Sequence, residues 1–322
     1  AYHQLIKKIA FKKKSEENIS RAFIDQGVFL MGDDIHQLLY FSEVRRESMV
    51  DKGFEFVKRK TDDGCLYFIV NQADSAFNGW MPIQTRAGSV AIFNPMSGNH
   101  GLAACRVLDD ESTEVYFQLA ERESCILKIF DEKILAPDYP YTRVKGNITE
   151  ITGEWDIQFL TGGPVLPEDI KTQILTSWTE LDEENGRSFS GTAQYIIQFE
   201  KPNMKADLWM LDFGSVYESA VVSLNGFILD TLITAPYRIQ FSDVVLQDKN
   251  DLEICVSNLM ANRIAFLDRN NILWKKFYNI NFPPKNRENR GPDGLFTAVD
   301  WEPQKSGLIG PVKIIPLVRC AN

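Results

Sequence analysis

From Ala206 to Pro316 the chain runs in short segments of alternating apolar and polar residues, each cut by a tight turn. The series reads ADLWMLDFG, SVYESAVVSLNG, FILDTLITAPYRIQF, NDLEICVSNLMANR and SGLIGPVKIIP. A period of two sets one face of each strand on a core and the other toward water, the pattern of antiparallel sheets. Asn225-Gly226, between two of these runs, supplies the pair of φ > 0 residues that a two-residue hairpin needs.

The same period governs residues 53–135. FEFVKRK, CLYFIVN, SVAIFNP, TEVYFQL and SCILKIF are rich in Val, Ile, Phe and Tyr and are separated by turn residues, with Asp63-Gly64 joining the first two as a hairpin. Five such strands at short spacing predict a compact β-sandwich. APDYPYTRVKG (136–146) is Pro- and Tyr-rich and reads as a linker. Beyond it, GEWDIQFL and SGTAQYIIQFEKP extend the β pattern, and an irregular loop runs from about Asn262 to Ser306. Long loops in compact domains carry function or motion.

Residues 1–50 are the part with helical spacing. Tyr2, Leu5, Ile6 and Ile9 share one helix face, and SEENISRAFIDQ opens on a Ser15 cap candidate followed by acids. GVFLMG reads as a strand and DDIHQLLYF as a further helix. The expected organisation is therefore mainly β: a helical α/β remnant of a missing upstream domain over 1–50, a β-sandwich over 51–140, and a second sandwich over 147–322.

Composition narrows the function classes. The 322 residues carry 44% hydrophobic and 25% charged residues, those of a globular protein, and a net charge of −9. The charge is uneven: residues 1–60 hold 12 Lys/Arg against 9 Asp/Glu, and the remainder holds 23 against 35. An acidic body lacks the basic stripe that displaces phosphate counterions, so nucleic acid is not an expected partner. No apolar run approaches the roughly 20 residues of a membrane span. Five cysteines without a CxxC, and only His3, His36 and His100, argue against a zinc site or a disulfide framework.

The segments GEWDIQFL, LTSWTEL, SFSGTAQYIIQFEKP, LDFGSVYESAVVSLNG, TAPYRIQF, NDLEICVSNLMANR and SGLIGPVKI together resemble the C-terminal region of bacterial α-L-rhamnosidase-like glycoside hydrolases (family 106). Gly191-Thr192-Ala193, Asn225-Gly226, Pro236-Tyr237-Arg238, Asn258, Asn262-Arg263 and Ser306-Gly307-Leu308 match in order. FEFVKRKTDDGCLYFIVNQ resembles the stretch after the catalytic barrel, with Lys58-Arg59-Lys60 where the family often has His-Arg-Arg. The resemblance implies a galactose-binding-like jelly roll at the end of the chain. It also implies a catalytic (β/α)8 barrel with two glutamates upstream, and a periplasmic or secreted location. A barrel takes about 250 residues, for which this chain has no room beside its β regions. The expected role is then a non-catalytic C-terminal region whose partners are the upstream catalytic domain of the same protein and a plant or microbial glycan. A stand-alone carbohydrate-binding protein and a structural or interaction module are the alternatives.

Glycosidic hydrolysis needs two carboxyls flanking the scissile bond, and 44 Asp+Glu give the sequence no means of choosing a pair. Asp109-Asp110-Glu111 and Asp182-Glu183-Glu184 read as solvated turns, so no catalytic residue is assigned. Sugar recognition on a β-sandwich combines an aromatic face with Asn, Asp or Arg partners for hydroxyls. Trp178, Tyr237, Arg238, Asn262, Trp274 and Trp301 lie at strand ends or in the long loop and are the candidates. The bland alternative makes them core or loop-anchoring residues with their polar tips hydrogen-bonded. No cofactor is called for. DDESTE and DRNN are the oxygen-rich stretches that a structural calcium would use, although neither has EF-hand spacing.

Overall fold

The computed structural model describes residues 12–13, 19–24, 27–42, 44–110, 112–275, 286–292 and 294–320. It divides into two compact units, Ala1–Tyr139 and Pro140–Asn322. The division falls inside the Pro- and Tyr-rich stretch, and Thr142–Val144 is already a strand of the second unit. Every strand pairing among the described residues is antiparallel. The protein is mainly β, with its strands in stacked sheets.

In the first unit a five-stranded sheet runs in the order Phe54–Thr61, Gly64–Asn71, Ser124–Phe130, Ser89–Phe93, His100–Leu102. Facing it are Phe77–Ile83, Thr113–Leu119 and Cys105–Val107. Strict alternation of burial along Thr113–Leu119 and Ser124–Phe130 is the period-two pattern made physical. Phe54 of the larger sheet meets Phe77 and Phe117 of the smaller edge-to-face, at 5.3 and 6.0 Å between ring centroids. The first hairpin turns on Asp62-Asp63 rather than Asp63-Gly64, since Thr61 pairs with Gly64. Gly64 opens the returning strand because a Cβ there would lie 2.1 Å from the Ile129 carbonyl oxygen.

The helical reading of SEENISRAFIDQ is corrected. Ser20–Ile24 is a strand, paired antiparallel with Gly27–Met31. Ala22 is buried while Phe23 is exposed, which is strand alternation; the acids that suggest a helix start precede this segment. The Ser15 cap and the Tyr2–Ile9 face lie outside the described residues. Ile35–Phe41 is the expected helix, capped by the Asp34 carboxylate accepting from His36 N at 2.8 Å.

The second unit packs two sheets face to face. One runs Thr142–Val144, Lys313–Arg319, Leu208–Asp212, Arg238–Ser242, with Thr149–Glu150 also on Lys313–Arg319. The other runs Ile170–Thr172, Trp155–Gly163, Ser190–Glu200, Lys249–Ser257, Ser219–Leu224, Phe227–Leu232. Trp209, Leu211, Ile239 and Ile314 from the first meet Trp155, Tyr195, Leu252 and Ile254 from the second in one continuous core. Burial of such side chains is worth about 1.5–3 kcal/mol each relative to exposure. Asn225 and Gly226 both have positive φ (52° and 80°), the geometry a two-residue hairpin requires. The expected irregular loop opens instead as a helix, Ala261–Arg269, whose side chains anchor the aromatic residues of the loop beyond it.

Candidate carbohydrate-binding residues

Four of the six sequence candidates lie in or beside the helix Ala261–Arg269 and the Ser306 segment, and three of the six prove to be structural. Trp178 opens a short helix, Trp178–Leu181, capped by Ser177. Its indole is wholly buried, edge-to-face with Phe159 and Phe189 at 5.6 and 5.5 Å. Its Nε1 donates to the Tyr195 hydroxyl at 2.6 Å. With no exposed ring face, Trp178 is a core residue and not a stacking platform. Asn262 is buried too: its Nδ2 donates to the Gln304 carbonyl (2.8 Å) and Ser306 Oγ (3.2 Å), and its Oδ1 accepts from Gln304 N (2.7 Å). Both its amide hydrogens and its carbonyl oxygen are thus engaged within the protein. Tyr237 is nearly buried, its hydroxyl donating to the Glu218 carbonyl at 2.7 Å; burial pushes its phenol above the ordinary range.

The matched motifs serve the fold in the same manner. Asn258 donates to Phe189 O (3.0 Å) and Ser306 Oγ (2.9 Å) and accepts from Gly191 N (2.9 Å), so one side chain ties three segments together. Gly307 adopts φ +90°, and a Cβ there would fall 2.4 Å from Trp178 Nε1 and 2.5 Å from the Tyr195 hydroxyl. The glycine is required by close approach as well as by backbone conformation.

Arg238 stays solvent-accessible and donates from Nε to Asp212 Oδ2 at 2.8 Å, its partner in register on the neighbouring strand.

Trp274 and Trp301 do come together, through a residue that no sequence motif singles out. Phe296 stands edge-to-face with both, at 6.4 and 5.5 Å. Asp268, on the helix, organises the group: Oδ1 accepts from Trp274 Nε1 at 2.6 Å, Oδ2 from Ala298 N at 2.8 Å, and Lys275 Nζ lies 3.4 Å away. Trp301 Nε1 donates to Asn289 Oδ1 at 2.8 Å, and Arg269 holds the Val299 carbonyl at 2.9 Å. The Lys275 ammonium also sits 5.4 Å over the Trp274 ring, a cation–π contact. Leu273, Leu295 and Val299 are exposed around this partly buried cluster. The arrangement offers an apolar, aromatic surface beside the Lys275 ammonium, suited to stacking against C–H faces; both indole N–H groups are already engaged by the protein.

The oxygen-rich stretches are similarly engaged. Asp268 of DRNN uses both oxygens as above. Asp110 of DDESTE accepts from Ser112 N at 3.0 Å and from Ser112 Oγ, which with a contribution from Arg45 holds its carboxyl below the ordinary range. Among the described residues no group of three or more His, Cys, Asp or Glu is placed to hold a metal. None of the described helices is long and apolar enough to cross a membrane.

No protein-family model matches the chain. In sequence it is 33% identical over 185 residues to a protein of Formosa agariphila named "Putative beta-glucuronidase"; the match takes in 52% of this chain and 16% of that protein. In structure it is similar to the rhamnosidase of Novosphingobium sp. PP1Y, with a TM-score of 0.64 and 24% identity over 92% of this chain and 27% of that one. The chain thus spans about a sixth and about a quarter of these two proteins. The chain is similar in sequence, over half its length, to a protein named as a β-glucuronidase, and in fold, over nearly all of it, to part of a rhamnosidase.

Proposed function

We propose that this chain is the non-catalytic C-terminal region of a bacterial glycoside hydrolase of the α-L-rhamnosidase-like kind, its two β units supporting an upstream catalytic barrel. One observation carries the reading: nearly all of this chain corresponds in fold to about a quarter of the rhamnosidase, which leaves most of that enzyme without a counterpart here. The antiparallel pairing of the described strands agrees, because a (β/α)8 barrel is built of parallel strands. On this reading the Pro140–Asn322 unit is a galactose-binding-like jelly roll, and the parent protein works in the periplasm or outside the cell.

The test has two arms. The coding sequence upstream of Ala1 is expected to hold repeated βα units with paired carboxylates at strand ends. The purified 322-residue chain is expected to leave aryl α-L-rhamnosides and aryl β-glucuronides intact. Turnover of either substrate by the isolated chain overturns the proposal.

A second reading, glycan capture, is favoured by the Trp274–Phe296–Trp301 cluster with its exposed apolar rim. Binding of the chain to a glycan array, lost on Trp301→Ala while the thermal midpoint holds, is the result that reading requires.

A further inference from the structure

We propose that a crevice at one corner of the Pro140–Asn322 sandwich, away from every sequence candidate, binds a single neutral saccharide unit. The corner arises where the chain leaves Thr149–Glu150, in one sheet, to begin Trp155–Gly163 in the other. Trp155–Gly163 covers Ser190–Glu200 only as far as Ile196, the partner of Asp156. Past that point the last residues of the longer strand have one uncovered edge, and a cavity of about 400 Å3 opens against Thr149–Thr152. That is within the roughly 300–1,000 Å3 of small-ligand pockets.

The lining mixes the two kinds of surface a sugar needs. Glu150, Glu200 and Lys249 supply two carboxylates and an ammonium, while Phe199, backed by the buried Ile151 and Ile314, supplies an apolar wall. Phe199 is partly buried and packs on the core, which fixes its ring. Glu200 and Lys249 are direct cross-strand partners, a position that ordinarily closes an ion pair. No ion pair or side-chain hydrogen bond engages Glu150, Glu200 or Lys249 within the described residues, so all three side chains remain available to a ligand. Carboxylates accept from vicinal hydroxyls, the ammonium donates to a ring or hydroxyl oxygen, and the phenyl ring meets a C–H face. Lys313 stands opposite Glu150 as Lys249 stands opposite Glu200, so two carboxylates face two ammonium groups and the crevice has no net charge to draw in a uronate or sulfated sugar, which leaves a neutral unit as its ligand.

The choice of a sugar as ligand rests on the proposed function. The site is tested on the full 322-residue chain with isoleucine δ1-methyl labelling, which places reporters at Ile151 and Ile314. Titration with methyl glycosides of L-rhamnose, D-galactose, D-glucose and D-xylose is expected to shift these two methyls saturably, with Ile254 of the deep core unmoved. D-glucuronate is expected to bind no more tightly than the neutral glycosides. Glu150→Gln and Glu200→Gln, both at exposed positions, should each weaken binding about tenfold, the loss expected of a hydrogen bond to a charged group. Absence of saturable shifts with all four neutral glycosides overturns the site, as does tighter binding of glucuronate than of any neutral glycoside. Those failures leave the accessory-region reading standing, whereas turnover of aryl glycosides by the same sample fells that reading and leaves the crevice intact.

Discussion

Trp178 Nε1 and the Tyr195 hydroxyl lie 2.6 Å apart in the core of the second unit, and the same hydroxyl oxygen accepts from Leu308 N at 3.0 Å. One phenol therefore satisfies two buried donors, one from a short helix and one from the closing strand Gly307–Gly310. Burial is the main reason its hydroxyl is held far above the ordinary tyrosine range. Tyr195→Phe removes the acceptor and strands both donors, at a cost of about 2–6 kcal/mol, since each buried unsatisfied group costs about 1–3 kcal/mol. The urea midpoint of the Pro140–Asn322 transition measures it. An unchanged midpoint would mean that neither donor depends on this oxygen.

The clasp around that pair sets a second expectation. Gly307→Ala adds a Cβ within 2.4 Å of the indole nitrogen at a backbone φ of +90°. Neither neighbour is a flexible tip, as both side chains are buried and hydrogen-bonded to one another. The loss should exceed about 3 kcal/mol, with strain and displaced packing adding. Soluble yield and thermal midpoint are the readouts, and a variant folding as well as the parent would exclude this packing.

These two residues also mark how much the sequence reveals. Ser306-Gly307-Leu308, Asn258 and Asn262 are legible as motifs, and the strands around them follow from period-two alternation. Their roles are not legible, because a motif gives order along the chain and not which atoms meet across it. Trp178 reads as a sugar platform because it lies among turn residues, where sequence cannot tell a buried indole from an exposed one. Phe296 is hidden for a related reason: it joins Trp274 and Trp301 through space, and no local pattern links residues 22 positions apart. The strand Phe77–Ile83 does not stand out because Gly79 and Pro82 break its pattern, and it tolerates the proline as an edge strand that, among the described residues, pairs only with Thr113–Leu119. Ser20–Ile24 reads as helix because the acids preceding it imitate a helix start.

Asp243 gives a pH-dependent expectation. The Lys201 ammonium, then the Trp209 indole N–H at 2.7 Å, hold its carboxyl below the ordinary aspartate range. A lowered folded-state pKa means that the ionised form stabilises the fold. Its contribution is complete above the unfolded value of about 3.9 and disappears as pH falls through the lower folded value. The carboxylate is nearly half exposed, so solvent screening limits the effect to below about 1 kcal/mol. Asp243→Asn should lower stability slightly at neutral pH and flatten the acid limb of the stability curve below about pH 4. Parallel acid limbs in the parent and the variant would contradict the assignment.

In the first unit the buried carboxylate of Glu47 joins three elements. Its Oε1 accepts from the Tyr67 hydroxyl at 2.6 Å, with Lys58 Nζ at 3.5 Å, and its Oε2 accepts from Gln84 N at 2.8 Å. Burial first, and then this anionic acceptor, raise the Tyr67 hydroxyl well above its ordinary range. Glu47→Ala leaves the Gln84 amide without its partner and removes the main acceptor of Tyr67, which should cost about 2–5 kcal/mol. Glu47→Gln keeps the shape and an acceptor oxygen for the amide, so its loss should be nearer about 1 kcal/mol. The ratio of the two losses matters more than either alone. Equal losses would assign the role to the negative charge, through Lys58; the expected inequality assigns it to the hydrogen bonds that hold Glu47, ahead of the Ser48–Lys52 turn, against Tyr67 and Gln84.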